Sequence, residues 1–496
     1  MKKIIYKAFA FTAILSLMYS CESYDFGGTN DNLNNPSTAI PSSLLTGAQA
    51  KLSGAVTLDG TATPSLYVQH LSQTQYTEES RYQTINFSWN ITGSGTGQQG
   101  NVGIYNKPIL ALQTIIDVNS DPETATAMSA FGSNNNQIAV AKILTAYYYQ
   151  WMTDRWGMLP YSEALGGVAS PYPAYDSQEA IYKGSFDQID EALAQMDAGA
   201  GPDGDIFYGG DMTKWKKFAN TLKMNMAIRL AKVYPAAGDY AATKFTQAMP
   251  GAISSVSENI MFPFISDDQY DNPYQDDYID DARTDECLSD VLVDYMQDPT
   301  RNDPRLPMFG EPAVSTGTYV GLQYGWDGAG TIPNDDVSFM NDNLIKNGET
   351  EVPMFTYAQV SFNKAEAVLL GWIGGNAQTF YEDGIKASME QWGVSSADAT
   401  TYIGMSGVAY NASTGLQQIA EQKWLALFYQ PYEAWAEWRR LDFPVLTPAV
   451  DILTGTTIPV RHGYPSAEPS QNTASYNAAV NAQGPDALST KLWWDK

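Results

Sequence analysis

Two histidines, His70 and His462, and two cysteines, Cys21 and Cys287, are all the chain offers for imidazole or thiol chemistry. A Ser-His-Asp triad or a His-based zinc site needs an imidazole beside particular partners. No HExxH, GxSxG, CxxC or GxxxxGK(S/T) pattern occurs. Gly93-Ser94-Gly95-Thr96-Gly97 lacks the strand and helix that would make it a phosphate cradle, and Cys287 reads as a small core residue. Carboxylates are abundant: 55 Asp+Glu. Two of them at the right separation could hydrolyse a glycoside, but spacing in sequence does not select a pair. Residues 267–286, DDQYDNPYQDDYIDDARTDE, hold nine carboxylates and three tyrosines. Hard cations take several oxygen ligands from such loops, so calcium is one candidate cofactor, although neither this run nor Asp203-Gly204-Asp205 follows the EF-hand spacing.

Aromatic side chains outside helical periodicity are the strongest signal. Sugar rings lay flat C–H faces on aromatic faces while their hydroxyls need fixed donors and acceptors. Glu78-Glu79-Ser80-Arg81-Tyr82 followed by Trp89-Asn90 offers both kinds of group, and Tyr270, Tyr274, Tyr278, Tyr319, Tyr324 and Trp326 lie on other irregular stretches. We read Tyr82, Trp89, Tyr274 and Trp326 as stacking platforms and Glu79, Arg81 and Asn90 as hydrogen-bonding partners for hydroxyls. Trp151, Trp424, Trp435 and Trp438 recur at helical spacing and are assigned to the core.

The elements that must position these groups are mostly helical. Helical periodicity marks 137–155, 177–196, 214–234, 356–371, 377–392 and 416–440, with excursions at 84–101 and 261–350 that are long for a compact domain. Strand signals are few and short. The fold class expected is all-α, with helix pairs suggesting repeat stacking and loop excursions carrying the ligand surface. The 496 residues carry 28 Lys+Arg and a net charge of −27, without a basic run, which excludes a phosphate-binding surface and hence nucleic acid as a partner. Lys2, Lys3 and Lys7 precede the apolar stretch 8–18, which ends at Ser20-Cys21. That is a secretory signal over 1–20 with Cys21 placed for lipidation, followed by a polar tether over 21–35 and one domain over 36–496. Cys287 is then left unpaired, and no disulfide is expected.

Several motifs together resemble the SusD/RagB family. They are Asn34-Asn35-Pro36-Ser37, Thr153-Asp154-Arg155-Trp156-Gly157, Tyr175-Asp176-Ser177-Gln178, Lys214-Trp215-Lys216-Lys217-Phe218, Asn302-Asp303-Pro304-Arg305, Glu421-Gln422-Lys423-Trp424, Glu433-Ala434-Trp435-Ala436-Glu437-Trp438-Arg439-Arg440 and Trp493-Trp494. They run in order over the mature chain. Gln359 and Asn363-Lys364 depart from the family's usual acidic, apolar helix there.

The resemblance implies a non-catalytic, surface-exposed outer-membrane lipoprotein of Bacteroidetes with tetratricopeptide-like helix pairs. Such a protein binds glycan or another nutrient and passes it to a SusC-like TonB-dependent transporter. It also implies a ligand site between 78–90 and about 270–330, and a DRWG loop in which Asp154 and Arg155 pair or cap while Trp156 packs. The acidic surface favours a neutral glycan, with β-glucan the first guess. A peptide-nutrient lid of the same kind of transporter, a helical assembly scaffold and a surface glycoside hydrolase are the alternatives.

Overall fold

The computed structural model describes residues 39–57, 62–83, 89–91, 102–267 and 270–496. The signal segment, Cys21, the tether and most of the 84–101 excursion lie outside the described residues. Pro41–Lys496 forms one compact unit.

Its principal helices are α1 (Pro41–Ala50), α2 (Leu110–Ser120), α3 (Asn134–Trp156), α4 (Gln178–Gln195), α5 (Met212–Arg229) and α6 (Tyr240–Ala248). They continue with α7 (Asp290–Gln297), α8 (Tyr357–Leu369), α9 (Ala377–Gln391), α10 (Ser396–Ile403), α11 (Gly415–Ala426), α12 (Pro431–Leu441) and α13 (Thr473–Gln483). Neighbours in sequence pack as pairs: α3 with α4, α5 with α6, α8 with α9 and α11 with α12. The fold is all-α. Starts are capped where the sequence offers an oxygen. Ser177 accepts from Ala180 N at 3.1 Å, Asp211 from Thr213 N at 2.8 Å and Thr356 from Gln359 N at 3.2 Å.

The single helix expected over 416–440 is two. Pro431 has no N–H to continue the ladder, so α11 stops at Ala426 and Pro431 opens α12 in its first turn. The 261–350 excursion is likewise not one irregular stretch. It contains α7, which begins where Ser289 Oγ accepts from Leu292 N at 3.0 Å.

Strands are short and pair in twos: β1 (Leu71–Gln73) with β7 (Glu286–Leu288), β2 (Asn90–Ile91) with β3 (Val102–Gly103), β4 (Leu159–Pro160) with β5 (Tyr175–Asp176) and β6 (Ile260–Phe262) with β8 (Val352–Phe355). All four pairs are antiparallel.

Among the described residues the family motifs at 153–156, 214–218, 421–424 and 433–440 fall on the core helices, and residues 34–37 lie outside the described residues. Among the described residues Asp154 and Arg155 do not pair with each other. Asp154 accepts from Tyr182 OH at 2.6 Å, Trp494 Nε1 at 2.8 Å and Gln150 Nε2 at 2.6 Å, which explains the motif at the C-terminus. The Arg155 guanidinium lies 4.3 Å from the ring centres of both Trp151 and Trp156, and its Nε donates to His462 Nδ1 at 3.1 Å. Trp156 does pack, fully buried. Trp151, Trp424 and Trp435 are buried too, and Trp438 is half-buried. Both histidines are buried and neutral: burial drives His70 down to about 3, and burial with Arg155, Arg439 and Arg461 holds His462 well below its usual value. Cys287 is a buried free thiol whose pKa burial raises.

Candidate functional site

Strand β1 turns into the segment 74–83, and the structure sets this segment against 283–286 and 322–334. Gln73 lies opposite Glu286 across the β1–β7 pair, and Thr74 N donates to Asp285 O at 2.8 Å. Gln73 then holds the turn: its Nε2 donates to Glu79 Oε2 at 3.3 Å and its Oε1 accepts from Ser80 N at 2.9 Å. Tyr76 and Tyr82 carry positive φ angles of 51° and 65°. Such backbone costs about 1–3 kcal/mol per residue and persists only where the surroundings enforce it. At Tyr82 the 449–453 segment does so, because Ala449 N donates to Tyr82 OH at 2.9 Å and Leu453 N to Arg81 O at 2.7 Å.

The same segment reaches the third part of the site. Asp451 N donates to Gly325 O at 2.9 Å, and Asp327 N to Asp451 Oδ2 at 2.9 Å. Arg81 Nε donates to Asp451 O at 2.9 Å while its guanidinium pairs with Asp327. Gly325 is required: it sits at φ +63°, and a Cβ there would lie 2.3 Å from Ala449 Cβ. Trp326 is thereby placed half-buried beside the Arg81–Asp327 pair, against Leu322, Ala329 and Val337. Tyr76 is 66 % exposed, with the Arg283 guanidinium 5.8 Å from its ring centre. Burial pushes Glu79 up to about 7, against the opposing pull of Gln73 and Arg283. Burial, with Asp285, Asp277 and Glu79 nearby, pushes Glu286 up to about 8. This face thus carries carboxyls that can donate as well as accept near neutral pH.

Two of the expected platforms are corrected. Tyr82 is fully buried, with its ring centre 6.1 Å from Tyr67 and 6.5 Å from Tyr324. Tyr274 is 3 % exposed and stacks on Tyr429 at 5.1 Å. Neither has a ring face left for a ligand, because both aromatics close the core beneath the excursions. Tyr324 is buried as well, whereas Tyr270 is exposed and Tyr278 and Tyr319 are half-buried.

Trp89 belongs to a second, concave region. Its ring is linked to Tyr82 through four ring-to-ring steps, by way of Tyr67, His462 and Trp156, at 6.1, 6.2, 6.3 and 5.1 Å. Half-buried, it lines a cavity of about 240 Å³ with Tyr105, Pro160, Tyr172, Pro173, Glu468 and Asn472. Glu468 orients the wall: Oε1 accepts from Trp89 Nε1 at 2.9 Å and Oε2 from Tyr175 OH. Tyr105 OH is spent on Pro160 O at 2.8 Å. Asn472 Nδ2 donates to Pro173 O at 2.9 Å, which fixes Oδ1 as an acceptor. That buried Oδ1 has no donor among the described residues, which is uncommon for a buried polar atom. Tyr172 stands at the rim, 69 % exposed. Asn90, half-buried, is held in β2 opposite Gly103. Gln83 and Trp89 are six residues apart, so the two regions are within about 20 Å along the chain.

Sequence reasoning missed Tyr76, Tyr172, Glu468, Asn472 and Asp327. An exposed aromatic between two prolines, Pro171-Tyr172-Pro173, was a readable signal. Glu468 and Asn472 had none, since their place depends on a contact with Trp89 from the far end of the chain.

No helix among the described residues is long and apolar enough to cross a membrane. No curated protein matches the chain. Solved structures do. A chitin-binding protein is 27 % identical, with a TM-score of 0.76 over 92 % of this chain and 100 % of its own. A SusD homologue of Bacteroides fragilis is 21 % identical, with a TM-score of 0.75 over 92 % and 100 %. A chitin-binding SusD homologue of Flavobacterium johnsoniae is 24 % identical, with a TM-score of 0.72 over 91 % and 98 %. The family described as SusD-like, starch-binding and associating with the outer membrane, matches residues 33–465. With a match over most of its length and this helical architecture, the chain belongs to the SusD-like family.

Proposed function

We propose that this protein is a non-catalytic, surface-exposed lipoprotein, anchored through Cys21, that captures a neutral glycan and delivers it to a SusC-like TonB-dependent outer-membrane transporter. The observation that carries the reading is the Trp89–Tyr172 cavity: aromatic and proline walls beside a buried amide oxygen that has no donor among the described residues. A sugar supplies both complements, C–H faces for the rings and a hydroxyl or amide N–H for Asn472 Oδ1. Trp326, Tyr76, Arg81 and Glu79 offer a second contact region. The resemblance to a chitin-binding protein at 27 % identity makes a β-1,4-linked N-acetylglucosamine oligomer the first ligand to test, ahead of β-glucan.

Affinity electrophoresis of the mature chain through gels containing soluble chitin derivatives, β-glucan and other neutral polysaccharides tests the reading. Retardation by one of them is expected. An aromatic contact of about 0.5–1.5 kcal/mol implies about a two- to tenfold loss of affinity in Tyr172→Ala and in Trp326→Ala. Unretarded migration in every gel overturns glycan capture and moves the reading to a peptide cargo.

A further inference from the structure

Eight of the nine carboxylates in 267–286 are among the described residues, and three of them converge. In the turn formed by Pro273–Gln275 and Asp276–Asp280, the carboxyls of Asp271, Asp276 and Asp280 each present an oxygen within 4.8 Å of the other two. Two oxygens on opposite sides of one calcium ion stand about 4.6–5.2 Å apart, since calcium bonds oxygen at roughly 2.3–2.6 Å. The set therefore already fits around a single ion.

A convergence of acids is common on surfaces, but this one has a buried member. Asp271 is 4 % exposed, and its Oδ1 has no hydrogen-bond partner among the described residues. Arg283 and Lys346 pair with Asp285 and Asp342, and Gln275 Nε2 donates to Asp280 Oδ1 at 3.2 Å. A carboxylate withdrawn from water beside two like charges costs several kcal/mol unless a proton or a cation relieves it.

We propose that Asp271, Asp276 and Asp280 bind one calcium ion, with water or backbone oxygens completing its shell. The ion ties this turn to its surroundings on two sides. Asn272 N donates to Gly348 O at 2.9 Å and Asn272 Nδ2 to Thr350 O at 2.7 Å. Tyr278 OH donates to Glu286 O at 2.6 Å, on the strand that faces Gln73. Calcium thus braces the floor of the Glu79–Trp326 region, independently of whether that region takes a glycan.

The test is terbium luminescence on the mature chain stripped with EDTA, in which Tyr270, Tyr274 and Tyr278 sensitise emission from an ion at this turn. One saturable terbium site per chain is expected, displaced by calcium with an affinity of about 0.1–1 mM, typical of extracellular sites. Asp276→Asn and Asp280→Asn should each weaken it at least tenfold and abolish the calcium-dependent rise in Tm. Asp280 is exposed, so its replacement leaves the fold intact, and Asp335→Asn on another exposed loop should bind like the parent. The absence of saturable, calcium-displaced emission up to about 10 mM calcium, or unchanged binding in both variants, overturns the proposal.

Discussion

Glu79 and Glu286 keep their protons into the neutral range because burial disfavours their charged forms, up to about 7 for one and about 8 for the other. In the unfolded chain both titrate near 4.5. Between those values the folded state binds more protons than the unfolded state, so stability falls as pH rises from about 4.5 to about 8. Around Glu79 stand Glu78, Asp285 and Arg283, and around Glu286 stand Asp285, Asp277, Glu79 and Arg283. Calorimetry in EDTA should show Tm dropping between about pH 5 and about pH 8.5, with a shallower slope in Glu79→Gln and Glu286→Gln. A parallel pH profile in those variants would remove the two carboxyls as its source. Tyr82 teaches the complementary lesson at this scale. Its sequence neighbourhood marks a ligand loop, yet its φ of 65° and its bond from Ala449 turn the ring inward.

At the scale of elements, charged side chains stitch α5, α8, α11 and α12 together from inside. Lys423 pairs with Glu437, Arg440 with Glu366 and, at 2.6 Å, with Glu437, and Arg229 with Glu433 at 2.7 Å. Although burial opposes it, Arg440, Lys423 and Arg229 hold Glu437 well below the usual carboxylate range. The departures at Gln359 and Asn363 belong to this network. Gln359 Nε2 donates to Glu433 Oε1 at 2.7 Å, and Asn363 bridges Asn225 and Lys423, each at 2.5 Å. Glu437→Ala leaves Lys423 buried without its acid partner, removes one of the acids beside Arg440 and Arg229, and should cost about 3–5 kcal/mol, read from the urea midpoint. A loss under about 1 kcal/mol would mean that water reaches the network. The periodicity of 416–440 was legible, and Pro431 was the readable reason to break it.

Across the whole molecule, a charge of −27 accompanies two contact regions built from aromatic rings and hydrogen-bonding groups. Neutral-glycan binding should change less than about twofold between about 20 and about 300 mM NaCl, because screening acts on charge–charge terms and not on ring contacts. An acidic polysaccharide should not retard the chain at low salt. Strong salt dependence with a neutral glycan would place a charged ligand group in the site.

Local chemistry determined much of this by itself. Periodic apolar positions, capping residues and ordered motifs specify the helices, their pairing and the family, because such signals act over a few residues of chain. The same holds for the absence of an HExxH, triad or phosphate-loop pattern. The tertiary structure alone decided which aromatics face outward, burying Tyr82 and Tyr274 while exposing Tyr76 and Tyr172. It also decided that Glu468 meets Trp89, separated by 379 positions, and that Asp271, Asp276 and Asp280 share one side of a turn. Ring exposure and carboxyl convergence depend on packing between distant segments, and neither composition nor spacing encodes where those segments come to rest.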